Sequence, residues 1–115
     1  MSSVLVVDDE PGVRRLLDIV LRDTGASVRV APDAESALAM VEELDPEVIL
    51  TDVRLPGMDG IELARMVRND GHHHRAQILL MSAYGRPPAT TADTFVPKPF
   101  DLDELVEHVR SCIES

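Results

Sequence analysis

The sequence is poor in cysteine, lysine and aromatic residues, and each shortage excludes a class of protein or site. Its 115 residues include one cysteine, one lysine, one tyrosine, two phenylalanines and no tryptophan. A single cysteine excludes an internal disulfide and a four-cysteine zinc site. No apolar run approaches the about 18 residues of a membrane-spanning helix, and no charged-then-apolar leader opens the chain. We therefore expect no membrane span, no secretory signal and a cytoplasmic location.

Positive charge is also scarce. Eleven basic residues stand against 21 acidic ones, which gives a formal net charge of −10. A surface of this sign repels phosphate backbones and anionic lipids, so we expect no direct binding of nucleic acid or of a membrane. The one lysine is Lys98.

The overall composition is that of a single globular domain. Apolar residues make up 44% of the chain and charged residues 28%, which is an ordinary balance for such a domain. A chain of this length buries about two thirds of its unfolded surface without metal or disulfide support. No linker, repeat or low-complexity stretch divides the sequence, so we expect one domain over residues 1–115.

Short apolar runs are spaced along the chain and predict five strands. Residues 4–7, 48–50 and 78–81 are aliphatic throughout, as in strands that are covered on both faces. Residues 27–31 and 94–96 form shorter or more polar runs. We therefore expect the strands at residues 4–7, 48–50 and 78–81 to lie inside a sheet. The strands at residues 27–31 and 94–96 are expected at its edges.

Amphipathic helical patterns fill most of the intervals between these runs. Pro11 suits a first helical turn, Asp33 suits an N-cap, and Asp101 followed by Glu104 has the spacing of a capping box. A third helix is expected over residues 61–68. Strand and helix in alternation predict an α/β fold, a doubly wound parallel sheet with helices on both faces.

Five polar residues follow or end the predicted strands. Asp8 and Asp9 follow the first strand, Asp52 ends the third, Ser82 ends the fourth, and Lys98 follows the fifth. In an open parallel sheet the ligand site lies beyond the carboxyl ends of the strands. An acidic pair alone is more often a solvated turn, but here three further polar groups are expected at the same edge of the sheet.

The expected carboxylate cluster favours a divalent cation. At about 4 Å and an effective dielectric constant of about 20, each pair of like charges costs about 4 kcal/mol. Oxygen ligands without histidine or cysteine favour Mg²⁺ over zinc. A nucleophilic carboxylate, an ammonium group, a hydroxyl donor and Mg²⁺ together are what phosphoryl transfer requires.

Four short motifs occur in order at the predicted strand ends. They are VVDDE at residues 6–10, LTDVRLPGMDG at 50–60, MSA at 81–83 and KPF at 98–100. With these motifs the chain resembles the receiver domain of two-component response regulators over residues 4–113. The resemblance implies a flavodoxin-like fold with five strands in the order 2-1-3-4-5.

The resemblance also implies which residues bind metal and phosphate. Asp52 matches the phosphoacceptor, which takes its phosphoryl group from a phosphohistidine on a sensor histidine kinase or a histidine phosphotransfer domain. Asp9, Asp52 and the backbone carbonyl of Arg54 would ligate Mg²⁺, and Asp8 would act mainly through water. Lys98 would neutralise one phosphoryl oxygen.

Further implied roles concern switching. Ser82 would donate a hydrogen bond to a second phosphoryl oxygen, and Phe95 matches the aromatic side chain that packs inward when the serine moves. Phe95 could equally serve packing alone, since the domain has only two phenylalanines. The peptide bond before Pro99 is expected to be cis. Arg54 and Tyr84 match positions beside the path of the hydrolytic water, and their bulk predicts a long-lived phosphorylated state.

The chain departs from the family between the fourth and fifth strands. Residues 83–93 are too few, and too rich in proline, for the usual fourth helix, which we expect to be shortened or absent. Residues 86–93 are expected to be irregular or mobile. An alternative function is therefore a receiver-like binding scaffold that no longer switches. A phosphatase is less favoured, because Arg54 occupies the position where a second carboxylate would be needed.

Two other features receive no chemical role. The three histidines at residues 72–74 are adjacent in an expected loop, so a solvated loop is favoured over a metal site. Cys112 has no base or second thiol near it in the sequence.

Overall fold

The computed structural model describes residues 3–70, 76–83 and 92–114. Its five strands are β1 Ser3–Val7, β2 Ser27–Ala31, β3 Val48–Asp52, β4 Gln77–Ser82 and β5 Thr94–Pro97. The helices in this part of the chain are α1 Pro11–Arg22, α2 Ala34–Leu44, α3 Gly60–Asn69 and α4 Leu102–Glu114. The predicted third helix, over residues 61–68, is one residue longer at each end.

The strands form one parallel sheet in the order β2-β1-β3-β4-β5. The predicted flavodoxin-like architecture and strand order are confirmed. All residues of β3 are buried, whereas β5 has no buried residue. The difference arises because β3 has a strand on each side and β5 lies at an edge, as its more polar sequence predicts.

Two apolar layers cover the faces of the sheet. Alternate residues of β1 point to opposite faces, so Val4 and Val6 join one layer while Leu5 and Val7 join the other. The first layer packs against α1 and α4 and the second against α2 and α3. Both faces are therefore closed, and the carboxyl edge of the sheet is left for polar groups.

Side-chain caps begin three of the helices. The carboxylate of Asp33 accepts a hydrogen bond from the backbone N–H of Ser36 at 2.7 Å, and that of Asp101 accepts one from Glu104 at 3.0 Å. Both caps were predicted from the sequence. A third cap was not, in which Asp59 accepts from the N–H of Glu62 at 2.8 Å and starts α3.

Part of the connection between β4 and β5 falls within the described residues. Of residues 83–93, residues 83, 92 and 93 are described, and none of these three is helical. Most of the expected irregular segment 86–93 lies outside the described residues, as do Tyr84 and the histidines at 72–74. Among the helices of the described ranges, none has the length and apolar character needed to cross a membrane.

Candidate functional site at the carboxyl edge of the sheet

Four strands deliver polar side chains to one edge of the sheet. Asp52 is the last residue of β3 and pairs with Met81 of β4, and Ser82 follows as the last residue of β4. Asp8 and Asp9 come directly after β1, and Lys98 comes directly after β5. Because the strands are parallel and in register, these ends meet at the same edge.

Lys98 joins the ends of three strands. Its Nζ lies 2.9 Å from Oδ2 of Asp8 and 3.2 Å from Oδ2 of Asp52. A third carboxylate, that of Glu10, lies 4.0 Å from the same nitrogen. The side chain of Asp8 is 0% exposed, that of Asp52 11% and that of Lys98 15%. The structure thus brings Lys98 to Asp8 and Asp52, and these three side chains are largely buried.

The backbone around Lys98 is tied to β4. The N–H of Lys98 donates a hydrogen bond of 2.9 Å to the carbonyl oxygen of Ser82, which continues the β4–β5 ladder past the last paired residues. The peptide bond between Lys98 and Pro99 is cis, as the resemblance implied. The side chain of Ser82 is buried at the same edge.

Every polar atom of Asp8 takes part in a hydrogen bond. Its N–H donates to the carbonyl of Ala31 at 3.1 Å, and its Oδ1 accepts from the N–H of Glu10 at 2.9 Å. Its Oδ2 accepts from Lys98, and its carbonyl oxygen accepts from Nη1 of Arg14 at 2.8 Å. Asp8 therefore belongs to the rigid frame of the site, which suits the predicted water-mediated role better than direct metal ligation.

Three successive acids form a cluster beyond β1. The carboxylate oxygens of Asp8, Asp9 and Glu10 include one ligand atom each that lies within 4.8 Å of the others. Asp9 and Glu10 are exposed, so their oxygens are open to a hydrated cation. An all-oxygen donor set fits Mg²⁺, which keeps several waters and takes few protein ligands.

Glu10 and Arg14 were missed by the sequence analysis. Glu10 carried a weak signal, since it is the third of three acids after a buried strand. Arg14 carried none that distinguishes it from its neighbour Arg15, because which arginine turns back toward the loop depends on the phase of α1. In the structure Arg14 is half-buried and Arg15 is exposed.

Burial and charge shift the pKa values of the two central groups. Burial raises the pKa of Asp52 above its usual value and the nearby Asp8 adds to this, although Lys98 and a backbone hydrogen bond with Arg54 oppose it. Burial alone would lower the pKa of Lys98, but its hydrogen bonds and charge interactions with Asp8, then Asp52, raise it overall. Lys98 therefore stays a cation, whereas ionisation of Asp52 costs more free energy than it would in water.

The loop after Asp52 approaches its own strand closely. A Cβ placed on Gly60 would overlap the carbonyl oxygen of Asp52 and lie 3.1 Å from Cα of Val53. The N–H of Gly60 donates to the carbonyl of Val53 at 2.8 Å. Gly57 has a φ of 75°, and a Cβ there would lie 3.1 Å from Oε1 of Glu35. The two glycines thus give the loop its path.

Phe95 is the second residue of β5, at the edge of the sheet. It is half-buried and lines a groove of about 360 Å³ together with Pro97, Phe100, Leu105 and His108. Nothing in this arrangement distinguishes a switching role from packing, so the switch role stays a prediction. Arg54 is exposed on the loop after Asp52.

Cys112 lies away from the carboxylate cluster, on α4. It is half-buried, and burial followed by the charge of Asp93 raises the pKa of its thiol. A raised pKa lowers the fraction of the thiol that is ionised and therefore its reactivity. The geometry gives no support for a nucleophilic role.

Comparisons with known proteins point in one direction. The family model for the response regulator receiver domain matches residues 4–110. The DNA-binding response regulator MtrA of Mycolicibacterium smegmatis is 39% identical over 116 residues, which cover 96% of this chain and 50% of MtrA. The regulatory protein AtoC of Escherichia coli is 36% identical over 111 residues, 91% of this chain and 24% of AtoC. The chain thus spans half or less of the length of these two relatives.

Solved structures show the same similarity. The response regulator TrrA of Thermotoga maritima, solved in complex with Mg²⁺-BeF, has a TM-score of 0.88 and 34% identity over 97% of this chain and 99% of that one. The chemotaxis response regulator CheY4 of Vibrio cholerae has a TM-score of 0.89 and 30% identity over 97% of this chain and 98% of that one.

Proposed function

The chain belongs to the response regulator receiver domain family, and from that premise we propose that it accepts a phosphoryl group on Asp52. The donor is the phosphohistidine of a sensor histidine kinase or of a histidine phosphotransfer domain. The observation that carries the proposal is the position of the Lys98 ammonium, within 3.2 Å of Asp52 and 2.9 Å of Asp8. A cation held there neutralises charge that arrives at Asp52.

Mg²⁺ is the proposed cofactor. The donors are Asp9, Asp52 and the backbone carbonyl of Arg54, with Asp8 acting through water. The fit rests on the oxygen donors clustered after β1 and on the exposure of Asp9. The ion would supply positive charge next to the phosphoryl oxygens, which favours phosphoryl transfer.

The chain's own side chains account for the rest of the transfer. An oxygen of Asp52 forms a bond to phosphorus while the bond from phosphorus to the histidine nitrogen of the donor breaks, and the electron pair leaves with the imidazole. Lys98 neutralises one phosphoryl oxygen, and the hydroxyl of Ser82 donates a hydrogen bond to another. Phe95 then packs inward. The chain catalyses only its own phosphorylation and dephosphorylation.

The phosphorylated state is proposed to act on an output domain or a separate target. Phosphate adds negative charge at the edge of the sheet and draws Ser82 and Lys98 toward it. The printed name of MtrA includes DNA binding, but this chain carries a net charge of −10, so we assign any nucleic-acid contact to another domain. We place this phosphoryl transfer in the cytoplasm, the usual location of receiver domains.

The test uses beryllofluoride, which mimics phosphate on an aspartate. With Mg²⁺, amide NMR shifts are expected around Asp52, Ser82 and Lys98, and further away at Phe95. Asp52→Asn is the control and should show none of them. A wild-type protein that binds Mg²⁺ but shows no beryllofluoride response would contradict the proposal and favour the alternative, a receiver-like scaffold with impaired switching because the segment at residues 83–93 is shortened.

A further inference from the structure

Strand β5 is held in the sheet by one neighbouring strand of the described chain. It has four residues and lies at the edge of the sheet, where β4 is the one described strand that pairs with it. Eleven residues, 83–93, connect it to β4. Among the described strands, only β4 contributes backbone hydrogen bonds that set the register of β5, whereas a central strand has a neighbour on each side. Yet Lys98 depends on this register, since it follows β5 directly.

Asp93 binds both backbone groups of one residue on β4. Its N–H donates to the carbonyl of Ile78 at 2.9 Å, and its Oδ2 accepts from the N–H of Ile78 at 2.8 Å. Ile78 is fully buried, so its position is fixed by the core. Asp93 therefore marks one defined point of β4 as the start of β5.

Arg68 completes the arrangement from α3. Its Nη2 lies 2.6 Å from Oδ2 of Asp93, the same oxygen that accepts from Ile78. Its Nη1 donates to the carbonyl of Ala76 at 2.9 Å, just before β4. One guanidinium thus ties the end of α3, the start of β4 and the start of β5 together.

We infer that Arg68 and Asp93 are positioning residues for Lys98, acting through the register of β5. Lys98 lies five residues after Asp93 in the sequence. A slip of two residues, the smallest that keeps the same side chains on each face, moves a strand by about 6.6 Å. Such a shift is larger than the separation of Lys98 from Asp8 or Asp52, so both contacts would be lost.

The contribution comes from hydrogen bonds to the backbone more than from charge. The side chains of Arg68 and Asp93 are 23% and 38% exposed, so water screens their mutual attraction. Asp93→Asn keeps an oxygen that can accept from Ile78 and should preserve the register. Asp93→Ala removes that acceptor and leaves the N–H of a buried residue unpaired.

Amide hydrogen exchange tests the register directly. The reporter is the N–H of Lys98, which donates to Ser82, and amides of β1 and β3 correct for global unfolding. Asp93→Ala and Arg68→Ala should speed exchange at Lys98, roughly tenfold for Asp93→Ala. The controls are Asp93→Asn and Arg65→Ala, which breaks the exposed Arg65–Glu62 pair on the same helix. Unchanged exchange at Lys98 in both Asp93→Ala and Arg68→Ala would overturn the inference.

Beryllofluoride affinity with Mg²⁺ tests the consequence at the site and rests on the proposed function. Asp93→Ala should bind more weakly than wild type, while Asp93→Asn should not. Val41→Ala, a core change on α2, is the destabilised control and should bind normally well below its melting temperature. Equal weakening in Val41→Ala would contradict a positioning role. A wild-type protein that binds no beryllofluoride would contradict the proposed function. The hydrogen-exchange rate at Lys98 would still test whether Arg68 and Asp93 fix the register of β5.

Discussion

The guanidinium of Arg14 donates a hydrogen bond of 2.8 Å to the main-chain carbonyl of Asp8, so α1 holds the loop that carries the acidic cluster. Removing the side chain of Arg14 would have two opposing effects on the affinity for Mg²⁺. Loss of a positive charge would strengthen Mg²⁺ binding, whereas loss of the hydrogen bond would loosen the ligand loop. Which effect wins decides the sign of the change in affinity.

We expect Arg14→Ala to weaken Mg²⁺ binding about fivefold, because a fixed loop is worth about one hydrogen bond. Arg15→Ala removes the same charge from the neighbouring exposed position and is the control. Isothermal titration calorimetry at fixed ionic strength measures both affinities. Tighter Mg²⁺ binding by Arg14→Ala would show that its charge matters more than its hydrogen bond.

Removing the ammonium of Lys98 and removing the charge of Asp52 should change stability in opposite directions. Lys98→Met leaves the buried Asp8 carboxylate without its cationic partner and should lower the free energy of unfolding by about 3 kcal/mol. In Asp52 the folded-state pKa is raised, so the charged form opposes folding above the unfolded-state pKa. Asp52→Asn should therefore raise the melting temperature in the absence of Mg²⁺.

Urea unfolding at pH 7 with a chelator measures the stability of Lys98→Met, and calorimetry measures the melting temperature of Asp52→Asn. Lowering the pH toward the unfolded-state pKa of Asp52 protonates the folded wild type first, so the advantage of Asp52→Asn should shrink as pH falls. An Asp52→Asn variant that melts at a lower temperature than wild type in chelator would contradict the claim that the charge on Asp52 opposes folding.

Two glycines offer a matched pair of substitutions. Gly60→Ala forces a methyl group against the carbonyl of Asp52, and the obstacle is backbone that cannot rotate away. We expect a loss of about 3 kcal/mol in the free energy of unfolding. Gly12→Ala in the first turn of α1 meets no atom within 4 Å in the described chain and should change the free energy of unfolding by no more than about 0.5 kcal/mol. Urea titration of both variants measures the contrast, and equal stability would contradict it.

The thiol of Cys112 should alkylate slowly. Its pKa is raised by burial and then by Asp93, so little thiolate exists at pH 8. Iodoacetamide is expected to react at least about tenfold more slowly than with glutathione, with the rate rising at higher pH. Mass spectrometry follows the reaction, and urea provides the unfolded control. A native rate equal to that in urea would show that the thiol is neither buried nor shifted.

The bulk of Arg54 predicts slow loss of phosphate from Asp52. Arg54 is exposed two residues after Asp52, the proposed phosphoacceptor, so its side chain can restrict the approach of water. Arg54→Ala should shorten the half-life of the phosphorylated protein, and Tyr84→Ala should act in the same way. Loss of radiolabelled phosphate after the donor is removed measures this. Half-lives in both variants no shorter than in wild type would contradict the prediction.

The sheet was predictable because its information is local. Aliphatic runs such as residues 48–50 identify buried strands, and parallel connections then place Asp52, Asp8 and Lys98 at one edge without knowledge of any contact. Helix caps such as Asp33 follow from two residues three positions apart. The contacts that were missed depend instead on long-range geometry. Whether Arg14 or Arg15 reaches the loop depends on the phase of a helix.

The same limit applies to Asp93. In the sequence it is one acid before a weak strand, and its partners Arg68 and Ile78 lie 25 and 15 residues away. Its importance follows only from the register of β5, which no local pattern sets.

The ammonium group of Lys98 also allows the site to be labelled selectively for NMR. Reductive methylation with labelled formaldehyde modifies amines, and Lys98 is the only side chain in the sequence that offers one. A ¹³C-methyl signal distinct from that of the α-amino group would then report from between Asp8 and Asp52. Cations, phosphate analogues and partner proteins could each be followed through that one resonance, in samples that need no isotope during expression.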